Sequence, residues 1–399
     1  MDCKLDQIKY TDTVIKPPSD KRTEINQVII MIDSRDRNYT KYPNSNKYTI
    51  MLNESYRNVE SVELIAAHIP NSGYLINNNN NKLEFSNTVG KVTGFHDDGK
   101  AIREKPALVY TVNIPNGNYS LFTANGAVTK DQLAETTLAN INTTEPTGTY
   151  EVLYNIISNK YTIKKSTVGA TDCFYLLFND GLETYNSNGE KQYKKKSNTV
   201  GSVLGYNRNY TSTITGTVAT SSGSKIITGT GTSFKTELQH LTNGDKISIV
   251  NTDLNAAVSI ETLTIDNIES NTKINTVENA GATREKCELI PAKHSGNMTP
   301  NLEGDDYILL FLKEFEKYEG ISTSIQNAFA KLHLKKGTNQ IDIGRLKTFN
   351  AIAENSIAKL DRLIIEFRDY NNNLYDFNNS EHSLVFAVNY QVQSDKYYY

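Results

Sequence analysis

The sequence predicts an all-β protein: an antiparallel β-sandwich with one short helix and an inserted small β-barrel or sandwich. Three observations carry that reading. The first is composition: 399 residues include 24 Tyr, no Trp, 4 Met and 9 Pro, with many Asn and Thr, a balance that suits strands, turns and a wet surface better than helix packing. The second is the stretch 360–393. There Leu384, Phe386, Val388, Tyr390 and Val392 share one face against Ser383, Asn389 and Gln391 on the other, the period-two signature of a strand covering a core. Just before it, Leu363, Ile364 and Ile365 put apolar residues on both faces, as an interior strand requires. The two runs read as a closing hairpin around Asn371, Asn372, Asn373, Asn378 and Asn379, residues that tolerate left-handed backbone. The third observation is a change of texture over residues 213–288, where small and β-branched residues take over.

Taken in order, residues 1–26 combine Lys4, Lys9, Lys16, Lys21 and Arg22 with acids and the Pro17-Pro18 pair, and read as an extended or disordered arm. Over 28–52, Val28, Ile30 and Ile32 alternate, a polar turn with Pro43 intervenes, and Tyr48, Ile50 and Leu52 resume: strand, turn, strand. A second pair follows, a run at 59–69 stopped by Pro70 and another at 83–85 beyond the Asn loop 77–81. Residues 107–115 form a further strand. Thr129 then reads as the cap of a helix over 129–142, with Leu133, Leu138 and Ile141 near helical spacing and Asp131 near its positive end.

A hairpin at 150–155 and 160–164 and a short buried strand at 174–178 come next. Lys194, Lys195 and Lys196 lie in a polar loop, a solvated run rather than a phosphate site. In the insertion, the ITGT of 214–217 recurs at 227–230, as two strands of one hairpin or as low complexity. Asn243-Gly244-Asp245 marks a turn before a strand at 246–250, and alternating runs at 259–265 and 273–277 complete the unit. Long apolar strands return at 307–315 and 328–334, a looser connection spans 335–357, and Tyr397-Tyr398-Tyr399 reads as a docking tail. The predicted organisation is an arm over 1–26, a main domain from 27–212 with 289–393, an insertion over 213–288 and a Tyr-rich tail over 394–399.

The same residues exclude most chemistry. A net charge of -3, from 42 basic and 45 acidic residues, exerts no global pull on nucleic acid. MDCKLDQIKY is charged where a secretory signal needs an apolar core, and no run approaches the roughly 18 apolar residues of a membrane span; a soluble protein is expected. Cys3, Cys173 and Cys287 have spacings that suit neither a zinc site nor a disulfide framework. The Asn-x-Ser/Thr triplets at Asn38, Asn118, Asn142, Asn209 and Asn297 are accidents of composition in a chain without a secretory route. Six histidines are scattered, and His68 and His333 sit within strands as structural residues. Glu381 and His382 could be imagined as an acid and base, but strand neighbours point to opposite faces. Asp97-Asp98 and Asp305-Asp306 fall far short of a calcium ion's six to eight oxygen ligands. Ser34–Asp36 with Arg37 reads as a turn closed by local bonds. No catalytic, cofactor-binding or metal-binding residue is predicted, no cofactor, and no enzyme.

Five blocks occur in an informative order: IDSRDRNYTKYPNSNKYTIML at 32–52, NVESVELIAAHIPN at 58–71, TVNIPNGNYS at 111–120 with its helix, SVLGY at 202–206, and LDRLIIEF at 360–367 with LYDFNNSEHSL at 374–384. This order resembles the jelly-roll minor capsid proteins, especially the penton proteins, of large eukaryotic DNA viruses (giant viruses) and virophages. The segment GSKIITGTGTSFKTEL at 223–238 looks like the small β-domains that decorate phage and viral structural proteins. The resemblance implies a wedge-shaped jelly roll assembled as a homopentamer at the fivefold vertices of an icosahedral capsid, in the virion after assembly in the host cytoplasm. Its implied partners are copies of itself, the major capsid protein and other minor capsid proteins, with a host receptor or glycan for residues 213–288. It brings no catalytic residues. The size of the insertion departs from the pattern and leaves open another minor capsid role, or a carbohydrate- or receptor-binding β-sandwich on the virion surface.

Overall fold

Period-two runs become antiparallel sheets throughout the computed structural model, which describes residues 22–96, 99–124, 127–169, 173–185, 188–196, 198–315, 327–334, 341–342 and 349–394. The chain is all-β as predicted, with a small closed barrel and, among the described residues, one helix longer than a single turn. Contacts divide it into two compact units, residues 1–72 with 307–399, and residues 73–306. The boundaries read from sequence, 212/213 and 288/289, enclose most of the barrel, whereas the compact unit also includes residues on either side of it.

In the first unit the strands lie in the order Arg22–Asp33, Ser383–Ser394, Lys47–Ile69, Phe349–Arg368, Tyr307–Leu312 and Ala330–His333, with Ile341–Asp342 also pairing Lys47–Ile69. Strand Phe349–Arg368 is interior, as its two apolar faces predict, but the expected closing hairpin is not formed. Lys47–Ile69 lies between its two arms, pairing Ile50 with Leu363 on one side and Val62 with Val388 on the other. One strand can serve both partners because it runs for 23 residues, joining two runs that the sequence reading keeps apart. Register shifts between Met51 and Tyr56 and between Val59 and Ser61, with Asn58 at φ 52, are the bulges that carry it across the polar stretch between them.

Strand Phe349–Arg368 likewise extends into the predicted loose connection at 335–357. Ile352 stands opposite Ser61 and Ile357 opposite Val59, so the intervening polar residues are looped out of the ladder, and that irregularity hid the strand from a period-two reading. Asn372, Asn378 and Asn379 adopt positive φ in the predicted Asn-rich turn. Leu363, Ile365, Phe367, Leu384, Phe386 and Val388 are buried in one core, with Phe329 and Phe386 rings 6.1 Å apart.

In the second unit six strands close a barrel in the order Thr217–Thr220, Ile226–Thr230, Lys273–Thr276, Ile260–Ser270, Lys246–Val250 and Arg284–Pro291. Ile227, Phe234, Ile247, Ile249, Ile274 and Leu289 fill it. The ITGT repeat resolves into one hairpin with offset copies: the second copy lies in Ile226–Thr230, while the first mostly precedes Thr217–Thr220, which pairs Thr217 with Thr230. Gly216, at φ +74, is needed there because a Cβ would meet the Thr230 carbonyl oxygen at 2.4 Å. Gly244, at φ +90, forms the predicted turn.

Beside the barrel, Tyr150–Asn155, Lys160–Lys165 and Lys293–Ser295 form a three-stranded sheet, and Tyr175–Leu176, Lys82–Ser86 and Tyr110–Asn113 form another. The helix spans Gln132–Thr144, starting later than predicted. Asp131 is its cap, accepting from the Ala134 amide at 2.9 Å, while Thr129 belongs to strand Ala127–Asp131. Phe234–Glu237 adds a single helical turn.

Candidate functional site

The most enzyme-like pair of the sequence, Glu381 and His382, lies at the turn into the last strand of the first unit. Asp33 caps the turn Ser34–Asp36, accepting from the Arg35 amide and from its Nε, both at 2.9 Å. The Arg35 hydrogen bonds hold the Asp33 carboxyl down at about 2. Arg37 is buried and donates to the carbonyls of Ser34 at 2.7 Å, Tyr42 at 3.0 Å and Pro43 at 3.1 Å, and to Glu381 Oε2 at 2.5 Å. The turn is therefore closed locally, as predicted, and also tied across the chain.

Glu381 accepts in addition from Ser34 Oγ at 2.5 Å and Tyr39 at 3.2 Å. Burial opposes its ionisation, yet the Arg37 and Ser34 hydrogen bonds hold its carboxyl below the ordinary value. His382 points the other way. Its Nε2 donates to the Ser45 carbonyl at 2.9 Å, which fixes the tautomer, and its ring sits among Phe367, Phe377 and Tyr48 at 4.5, 5.0 and 5.6 Å. Burial pushes its pKa down to about 4. The two neighbours diverge, although they lie just ahead of strand Ser383–Ser394 rather than in it: one closes an ion pair and the other fills the core.

The same strand pairs Arg22–Asp33 over its full length. Val28, Ile30 and Ile32 face the core. Ile25, Ile29 and Met31 alternate with them and are 62%, 50% and 80% exposed. Beside this stripe runs a polar ladder, Gln27 Nε2 to Asn389 Oδ1 at 3.0 Å and Asn389 Nδ2 to Ser61 Oγ at 2.8 Å. Among the described residues, Arg22–Asp33 pairs only Ser383–Ser394.

In the second unit a cleft of about 850 Å³ opens between barrel residues 236–242 and the sheet that contains Lys160–Lys165 and Lys293–Ser295. Its floor is built on His294, a residue the sequence reading left as an isolated histidine. The buried ring donates from Nε2 to the Phe174 carbonyl at 2.8 Å, so Nδ1 accepts from the Tyr210 hydroxyl at 2.7 Å. Burial lowers His294 to about 3 and raises the Tyr210 hydroxyl, so the bonded pair is neutral.

Asp245, in the predicted turn, accepts from the Thr242 amide at 2.9 Å and pairs with Lys164 at 3.0 Å and Lys293 at 3.2 Å. Burial opposes its charge, but those bonds win and lower its pKa. His240 donates from Nε2 to the Lys293 carbonyl at 2.9 Å, and burial lowers its pKa as well. No local spacing marks these residues, since Tyr210, His294 and Phe174 are brought together across 84 and 120 positions.

Other predicted features are placed as follows. Lys196 of the lysine run is ion-paired with Glu84, so it is not merely solvated. Cys173 and Cys287 are buried and not joined to each other by a disulfide, and burial raises Cys287 to about 11. Among the described residues no group of three or more His, Cys, Asp or Glu side chains could hold a metal ion, and no helix is long and apolar enough to cross a membrane. Asp97-Asp98, Cys3, residues 1–21 of the arm, and Tyr397-Tyr398-Tyr399 of the tail lie outside the described residues.

The model of a family of unknown function (DUF5901) matches residues 20–149. No curated protein matches the chain. Among solved structures, the crystal structure of the mavirus penton protein is similar over 92% of this chain and 100% of its own, with 8% identity and a TM-score of 0.31.

Proposed function

We propose that the chain is a structural virion protein, a penton-type capsid subunit that forms homopentamers at the fivefold vertices of an icosahedral capsid and meets the major and other minor capsid proteins there. In this reading it is not an enzyme. The observation that carries it is the outward stripe of Ile25, Ile29 and Met31 on the edge strand Arg22–Asp33. A long edge strand with exposed apolar side chains is a surface that pairs with another chain, and a closed ring joins one face of each subunit to a different face of its neighbour. The order of the five sequence blocks supports the same reading.

Sedimentation of the full chain tests it. The expected species has five times the 44.7 kDa chain mass, and the protein is expected in purified particles. A monomer at every concentration, with no protein in the particles, sinks the proposal.

A further inference from the structure

We propose that the cleft of the second unit is a binding site for a neutral saccharide. The inference does not depend on the capsid role. The cleft, about 850 Å³, falls within the ~300–1,000 Å³ range of small-ligand sites. Ser158, Thr162, Thr236, Gln239 and Ser295 line it, and among the described residues their side chains have no hydrogen-bond partner. Four hydroxyls and an amide, each able to donate and to accept, match the alternating donors and acceptors of a sugar. Leu153, 59% exposed on the rim, offers an apolar contact for the C–H face of a pyranose ring.

Other ligand classes fit less well. An anion would need cations free to meet it, yet Lys293 is paired with Asp245, both lining histidines are held by carbonyl groups, and the remaining lysine, Lys160, shares the cleft with Glu237. A metal ion would need a cluster of ligands, and the described residues contain none. The floor is held in advance by the Tyr210–His294–Phe174 chain and by the Asp245 ion pairs. A ligand therefore meets a wall that does not have to be ordered on binding.

The test uses the full chain on an array of mannose-, galactose-, glucose- and N-acetylglucosamine-terminated neutral glycans beside sialylated ones. Binding to at least one neutral class is expected. Thr162→Val combined with Gln239→Ala should weaken it by tenfold or more, and Met31→Lys, in the other unit, should leave it unchanged. If the double variant does not fold, Ser158→Trp on the exposed hairpin turn should block the cleft instead. No binding, stronger binding to sialylated glycans, or neutral binding that survives the cleft variants overturns the assignment. Because Met31→Lys reads assembly and the cleft variants read saccharide binding, either proposal can fail without the other.

Discussion

The sheet of the first unit and the barrel of the second each bury an apolar core, the first rich in Phe and Tyr and the second mostly aliphatic, and they end differently. Six strands close the barrel in a ring, and closure is the one arrangement that removes sheet edges. The sheet ends, among the described residues, on Arg22–Asp33, with Ile25, Ile29 and Met31 in water. The barrel is thus satisfied by its own hydrogen bonds, whereas the sheet retains an edge and an apolar stripe that a second chain could cover. The largest expected effect tests whether the two cores are separate. Phe386→Ala, in the sheet core, should cost about 3–5 kcal/mol, and Leu289→Ala, in the barrel core, about 2–5 kcal/mol. Segment-resolved hydrogen exchange should show the first loss in Ser383–Ser394 and its neighbours and the second in the barrel strands. Equal loss across both units for either variant would break the comparison.

Each unit also buries one neutral histidine, and acid should weaken both. His382 and His294 have folded-state pKa values pushed down by burial to about 4 and about 3, so below the ordinary histidine value near 6.5 the unfolded chain takes up protons that the folded chain refuses. Stability is complete above about pH 6.5 and falls as the pH drops toward the folded values, by about 1.4 kcal/mol per pH unit for each histidine. Glu381 adds to the loss at lower pH. Its depressed carboxyl stabilises the fold above the ordinary glutamate value, and that contribution disappears as the pH falls through its folded value. Denaturant midpoints between pH 7 and 5 should show the slope. His382→Gln should reduce it in the sheet unit alone and His294→Gln in the barrel unit alone, where His240, also lowered by burial, keeps part of the slope; an unchanged slope in both variants would refute the assignment to these rings.

Much of the fold was legible because each element carries its own local pattern. The alternation through Leu384, Phe386 and Val388 marks a strand whatever its partners, and the 150–165 hairpin and the turn at Gly244 depend on neighbours in sequence. What was not legible depends on distant partners. Nothing in residues 360–393 reveals that Lys47–Ile69 separates the two runs, and bulges at Asn58 and beyond Ile352 erase the period that would have shown two long strands. The helix start is an exception: Thr129 and Asp131 can both cap, and a short local hairpin with Leu121–Ala124 took Thr129 into a strand. The cleft was missed because its partners are distant. Its floor joins Phe174, Tyr210 and His294, and its free hydroxyls are ordinary surface residues until the chain brings them together.

The smallest effect on stability should carry the largest effect on assembly. Met31 is 80% exposed on the outer face of the edge strand, so Met31→Lys should change folding stability by less than about 0.5 kcal/mol. It nevertheless places on that edge the charged side chain by which natural edge strands avoid pairing. With Ile29→Lys, it should sediment as the 44.7 kDa monomer at concentrations where the parent chain assembles, with an unchanged melting curve. Val277→Lys supplies the matching change on the barrel, since Val277 is 47% exposed there, and it should leave assembly intact. Dissociation by Val277→Lys but not by Met31→Lys would move the contact to the closed ring and refute the open edge as the proposed contact.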